Sequence, residues 1–254
     1  YLLRDKDRHS VLQQQLHMIA NLSQYEEAQN GWQQTLLQNF SDEEVSILCN
    51  HPCEVGATLL PIQSVGVQGD SRSYSYVAAL STDERPIPWN LLEMLARIIP
   101  RFLHEINRVV YVFGGLVEYP INDVTRTFLN EFTVSLLQHA DRLAFDVLNG
   151  LDEEGDRDDT LDVCVDKIQQ MPVVMLPLHF DRDPNDRKQP CLRSFVLRPF
   201  ITSDFMTGLA ALPGRDLPEK TVLEMARRIQ ENVPLTSRVM LDLTSKPPGT
   251  TEWE

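Results

Sequence analysis

Cysteine is scarce. The 254 residues hold four, Cys49, Cys53, Cys164 and Cys191, too few and too scattered for a disulfide scaffold in a chain of this size. A cytosolic, cytoplasmic compartment is the expectation. No apolar run approaches the length needed to cross a bilayer, and Tyr1-Leu2-Leu3-Arg4-Asp5 is not a secretory start. Cations are outnumbered, 23 Lys and Arg against 37 Asp and Glu, for a net charge of -14. Duplex binding rests on cation contacts to phosphate, so this balance excludes a nucleic-acid partner and disfavours an anionic membrane surface. Any bound phosphate must be held by a local basic cluster against an unfavourable overall field.

Metal-ligand patterns are also thin. Cys49-Asn50-His51-Pro52-Cys53 offers three soft ligands, whereas structural zinc takes four. His179-Phe180-Asp181-Arg182-Asp183 has alternate spacing suited to a cation, but a charged loop after a strand explains it as well. The acidic run from Asp152 to Asp159 fails the calcium-loop template. Arg157 stands where that loop needs glycine and Val163 where it needs its last glutamate. It reads as a solvated, mobile loop, and no metal is expected.

What is present is an ordinary globular composition, long enough to bury a core as one large or two small domains. The first residue is not methionine, which suggests a region excised from a longer chain. Residues 1–55 read as helical. Leu12, Leu16 and Ile19 recur at helical spacing, and Ser41-Asp42-Glu43-Glu44 forms a capping box before Val45, Ile47 and Leu48. Strands are expected over 57–67, interrupted by Pro61, and over 73–80. An amphipathic helix over 89–106 should kink or break at Pro100, before a short buried strand at 109–113.

The same order returns from about residue 172: strands at 173–178 and 192–201, a helix from Pro218, and a strand at 238–243. Leu60-Pro61-Ile62 matches Leu176-Pro177-Leu178, and Arg72-Ser73-Tyr74 matches Arg193-Ser194-Phe195. Leu92-Glu93-Met94 matches Leu223-Glu224-Met225, and Arg108-Val109-Val110 matches Arg238-Val239-Met240. This reads as an internal duplication. The fold class expected is α+β: two β-β-α-β subdomains with small antiparallel or mixed sheets and helices on one face, plus a helical N-terminal segment and a helical insert. The boundaries are 1–55, 56–118 (copy one), 119–171 (insert) and 172–254 (copy two). Each copy is expected to bury the open sheet face of the other, as a pseudo-dimer within one chain.

The copies differ in their polar equipment. Copy one carries the turn-rich Val65-Gly66-Val67-Gln68-Gly69-Asp70-Ser71-Arg72. Copy two carries Thr202-Ser203-Asp204-Phe205-Met206-Thr207 and the ending Ser245-Lys246-Pro247-Pro248-Gly249-Thr250-Thr251-Glu252-Trp253-Glu254, where copy one has only Gly114-Gly115-Leu116. Two prolines stiffen that ending and the glycine frees the next turn. The segment reads as a lid or arm presenting Lys246 and Glu252 to one composite site.

These segments, 65–74, 204–207 and 245–254, resemble the C-terminal domain of GMP synthase, the glutamine-hydrolysing ligase that aminates xanthosine monophosphate (XMP). Gln170-Met171-Pro172 and the run from Pro177 to Pro184 resemble the duplicated, eukaryotic form. The resemblance runs from about residue 56 to the end; residues 1–55 and the acidic loop match poorly. It implies a nucleotide-binding and dimer-contact domain working with an upstream glutamine amidotransferase and an upstream ATP pyrophosphatase of the same polypeptide. ATP and Mg²⁺ would belong to those modules, and no cofactor to this chain. No Ser-Gly-Gly-x-Asp-Ser phosphate loop and no nucleophile-elbow cysteine is found, so this chain alone should not turn over. By the resemblance, Asp70, Gln170, Lys246 and Glu252 contact XMP, with Arg72 as an additional contact. An internal pseudo-dimer or a homo-oligomer is implied. The rival reading is a non-catalytic protein-interaction module derived from this domain.

Overall fold

A computed structural model describes residues 2–22, 38–49, 51, 53–68, 71–183, 185–250 and 253. Helices α1 (Leu2–Ala20) and α2 (Asp42–Cys49) lead into strands β1 (Gly56–Gln68) and β2 (Ser71–Ser81), helix α3 (Trp89–Phe102) and strand β3 (Ile106–Val112). Helix α4 (Glu131–Leu148) follows. Then come β4 (Val173–Leu176), β5 (Arg193–Leu197), β6 (Phe200–Ile201), β7 (Leu209–Ala210), α5 (Glu219–Asn232) and β8 (Thr236–Asp242).

The local causes are legible. Leu12, Leu16 and Ile19 bury one stripe of α1. The Ser41 hydroxyl accepts the Glu44 N–H at 3.2 Å, and the Glu44 carboxylate accepts the Ser41 N–H at 2.9 Å, closing the capping box of α2. Pro61 falls where β1 slips register against β2, between Leu59 and Gln63. Gln13 of α1 serves the edge of β1 twice, donating to the Ala57 carbonyl at 2.7 Å and accepting the Leu59 N–H at 2.6 Å. Such cover blunts an edge strand.

The mixed sheet has the order β1-β2-β3-β8-β5-β4. Reading outward from the antiparallel β3–β8 pair, both sides show a parallel neighbour and then an antiparallel one. That is a pseudo-twofold arrangement of two β-β-α-β units, in an α+β fold. The copies do not cover one another's faces, as the sequence led us to expect. They join edge to edge, and each sheet face has other cover. One face shares a core with the five described helices, through Leu59, Ala78, Leu80, Val109, Phe195 and Val239. The other face, with Leu60, Val77, Val112, Val196 and Met240, is closed by Ile121, Phe180 and Trp253.

Strand register corrects two of the four sequence matches. Ala78 faces Val109 as Phe195 faces Val239, so Ala78, not Tyr74, is the equivalent of Phe195. Helices α3 and α5 start at Trp89 and Glu219, which aligns Leu92 with Val222 and slips that match by one residue. Helix α3 runs unbroken through Pro100 to Phe102, and Ile106 already belongs to β3. The proline lies in the last turn, where few further helical bonds remain to be lost. The insert is helical only in α4. Its acidic loop is held rather than loose: Asp152 accepts the Asp156 N–H at 2.8 Å, and Arg228 of α5 donates to the Leu151 carbonyl at 2.7 Å.

Candidate functional site

The C-terminal segment is built into the fold at several points. Lys246 and Gly208 exchange backbone hydrogen bonds at 2.8 and 3.1 Å. Gly208 leads into β7, β7 pairs with β6, and Phe200 of β6 pairs with Gln170. This small ladder brings together Gln170 and Lys246, which are 76 positions apart. The Lys246 Nζ donates to Gln170 Oε1 at 2.6 Å and stands 4.7 Å from the centre of the Phe200 ring. The lysine is 5% exposed. An ammonium so far out of water requires such partners.

The turn before Gly208 is set by Asp204, whose carboxylate accepts the backbone N–H of Met206 and Thr207 at 2.9 and 2.8 Å. Those N–H groups, Thr207's first, hold the Asp204 carboxyl below the usual carboxylate range. Phe205, inside the turn, takes a left-handed φ of 60°.

Beyond Lys246 the tail crosses to copy one. The Pro248 carbonyl accepts the Val67 N–H at 2.8 Å, and the Trp253 carbonyl accepts the Val65 N–H at 3.0 Å. A β-carbon on Gly66 would lie 2.8 Å from Asn107 Nδ2 and 3.0 Å from the Pro248 carbonyl, so this close approach needs glycine. Val67 is also the register partner of Arg72. The tail thus runs along the edge of β1, whose other side pairs with β2, the strand that Ser71 and Arg72 open.

Beneath it lies a wholly buried ionic group. Asp242 Oδ2 meets Arg108 Nη1 at 2.9 Å and Arg198 Nε at 2.8 Å, with all three side chains at 0% exposure. Burial by itself raises the Asp242 carboxyl, but the two guanidinium groups and the Thr244 N–H outweigh it and hold the carboxyl below its ordinary value. Arg108 also donates to the Val65 carbonyl at 3.1 Å and lies 4.8 Å from the Trp253 ring centre. Both arginines donate to the Thr250 carbonyl.

Of the residues expected from sequence, Gln170 and Lys246 meet directly. Arg72 stands exposed on β2, across β1 from the tail. Asp70 and Glu252 lie outside the described residues. Sequence reasoning missed Phe200, Arg108, Arg198 and Asp242. A signal existed: Arg198 directly follows Phe195-Val196-Leu197, and Arg108 directly precedes Val109-Val110-Tyr111-Val112. A charge inside a buried strand requires a partner. Among the described residues, no cluster of three or more His, Cys, Asp or Glu side chains could hold a metal ion.

Comparison with known proteins adds an independent line. The sequence model described as GMP synthase C terminal domain matches residues 48–115 and 162–253, both copies without the α4 segment. "Probable GMP synthase [glutamine-hydrolyzing]" of Caenorhabditis elegans is 50% identical over 231 residues, covering 91% of this chain and 30% of that protein. "GMP synthase [glutamine-hydrolyzing]" of Dictyostelium discoideum is 38% identical over 208 residues, 77% of this chain and 26% of the relative. A Leptospira interrogans "Probable GMP synthase [glutamine-hydrolyzing]" is 32% identical over 197 residues, 77% of this chain and 28% of the relative. The chain therefore spans less than a third of the length of these relatives. Matched over both copies and through the tail, it belongs to the GMP synthase C-terminal domain family.

Proposed function

We propose that this chain supplies the XMP-holding part of a glutamine-hydrolysing GMP synthase, a cytosolic ligase that forms a C–N bond. ATP, Mg²⁺ and the two catalytic steps, release of ammonia from glutamine and adenylation of XMP, belong to modules outside this chain. The isolated chain is inactive in this reading. The pairing of Lys246 with Gln170 on the face of Phe200 is the observation that carries it. A lysine kept out of bulk water on a proline-braced segment costs little ordering when an anion arrives. Lys246 meets the 5′-phosphate of XMP, and Gln170, able to donate and accept, orients the lysine and adjoining nucleotide oxygens. Asp70 and Glu252 accept from ribose hydroxyls or purine N–H groups, and exposed Arg72 adds a second cation from copy one. Closing this site also excludes water from an adenylated intermediate that water would hydrolyse.

Lys246→Ala in the full-length enzyme is expected to raise the apparent KM for XMP severalfold, with glutaminase activity in isolation less affected. An unchanged KM would sink the phosphate role.

A further inference from the structure

We propose that the cleft between the loop ahead of α3 and helix α5 binds a small organic anion, with its carboxylate or phosphate on Arg85 and a ring-sized apolar body against the cleft wall. This site is separate from the one at Lys246. The cleft lies at the start of β8, whereas Lys246 follows the far end of that strand, on the order of 20 Å away.

The cleft has a volume of about 360 Å³, within the range of small-molecule sites. Ile87, Phe113, Leu223 and Val239 give it an apolar wall, and the exposed Arg85 and Arg227 also line it. Arg227 is already paired with Glu153, Glu224 and Glu231. Among the described residues Arg85 has no carboxylate partner; its Nη1 donates to the Thr82 and Glu84 carbonyls at 3.4 and 2.6 Å. The Arg85 charge also reaches inward. Burial pushes the Tyr111 hydroxyl up and the Arg85 guanidinium pulls against it, and the Tyr111 ring packs edge-on against Phe113 at 5.1 Å.

A solvated surface arginine is the competing explanation, and the pseudo-twofold supplies an internal control. The helix starts that align Trp89 with Glu219 match Arg85 with Arg215, Pro86 with Asp216 and Leu223 with Glu93. The strand register gives the same offset and matches Gly114 with Thr244. At the mate of the cleft, Arg215 pairs with Glu93 at 2.8 Å and with Asp216 at 2.9 Å. There the Thr244 hydroxyl accepts the Val109 N–H at 2.8 Å. On the cleft side a leucine, a proline and a glycine stand in those three places, and Leu223 is 40% exposed. Both carboxylates are gone and the arginine is kept. Its planar fork suits a carboxylate or a phosphate from outside the chain.

The test is calorimetry on the full-length protein with phenyl phosphate and benzoate as probes, which share a ring and differ in the anion. Inorganic phosphate and phenol are the controls, each lacking one half of the ligand. Wild type is expected to bind at least one probe saturably below about 10 mM, and both controls about tenfold more weakly or worse. Arg85→Ala should weaken that binding about tenfold, the scale of a lost hydrogen bond to a charged group. Leu223→Glu should do the same by setting a carboxylate beside Arg85, as Glu93 lies beside Arg215. It keeps the test open should Arg85→Ala not fold. Lys246→Ala should leave the binding as it is. No saturable binding in wild type would overturn the proposal, as would an affinity unmoved by either cleft variant or matched by inorganic phosphate or phenol. Loss of binding in Lys246→Ala alone would place the probe at the tail and overturn it too, while supporting the phosphate role of Lys246.

Discussion

Asp242 decides most at the scale of single residues, because its charge is needed and cannot be hydrated. Its carboxyl sits below the ordinary range against the pull of burial, since Arg108 and Arg198 flank it. A carboxyl depressed in the folded state adds stability that is fully present above its unfolded value, about 3.9, and that fades as pH falls through the lower folded value. The urea midpoint of the wild type should therefore drop on acidification below about pH 4. Asp242→Asn removes a buried carboxylate that pairs with both guanidinium groups and is expected to cost about 3–5 kcal/mol at neutral pH. It should also flatten that acid limb; a limb of the same steepness in the variant would contradict the assignment. Lys246 and Gln170 were legible in the sequence only through family resemblance, because each stands in a loop whose local pattern is bland. Arg108 and Arg198 carried a signal in pattern alone, as charges next to apolar strand runs, that the sequence reading passed over. What no linear pattern supplies is that both close on the same carboxylate, 134 and 44 positions away.

Elements with strong local causes were read nearly to the residue. The capping box fixed the start of α2, the alternation of β2 was visible, and Pro218 stands just ahead of α5. Elements whose ends depend on tertiary pairing were read less well. The strand expected over 192–201 divides at Arg198-Pro199, because Arg198 turns to Asp242 and Phe200 pairs with Gln170 instead. The two slipped repeat matches have a related cause. Short identities such as Arg-Ser-aromatic were weighed by residue type, whereas equivalence is set by hydrogen-bonded register. One element-scale outcome follows from the capping box: Ser41→Ala should cost about 1 kcal/mol, measured by denaturant unfolding. A cost indistinguishable from zero would mean that α2 is held by packing on α3 and needs no cap.

For the whole molecule, the pseudo-twofold sheet gives a frame on which two halves have diverged. Copy one contributes Gly66, the Val65–Val67 edge and Arg72; copy two contributes Lys246, Phe200 and the tail. The tail bonds to both halves, so a site at this place is composite by construction. The sequence suggested a lid or reaching arm. The structure instead anchors it at Lys246, Pro248, Thr250 and Trp253, because its backbone finds partners on Gly208, on β1 and on the two buried arginines that no linear pattern reveals. The claim that this composite place receives the phosphate of a nucleotide is tested most directly by calorimetry on the full-length protein. XMP and its phosphate-free nucleoside, xanthosine, would each be titrated into the wild type and into Lys246→Ala. The account expects the variant to lose affinity for XMP while its affinity for xanthosine stays level with the wild type. Equal XMP affinity in the two proteins, or an equal loss for both ligands, would contradict it.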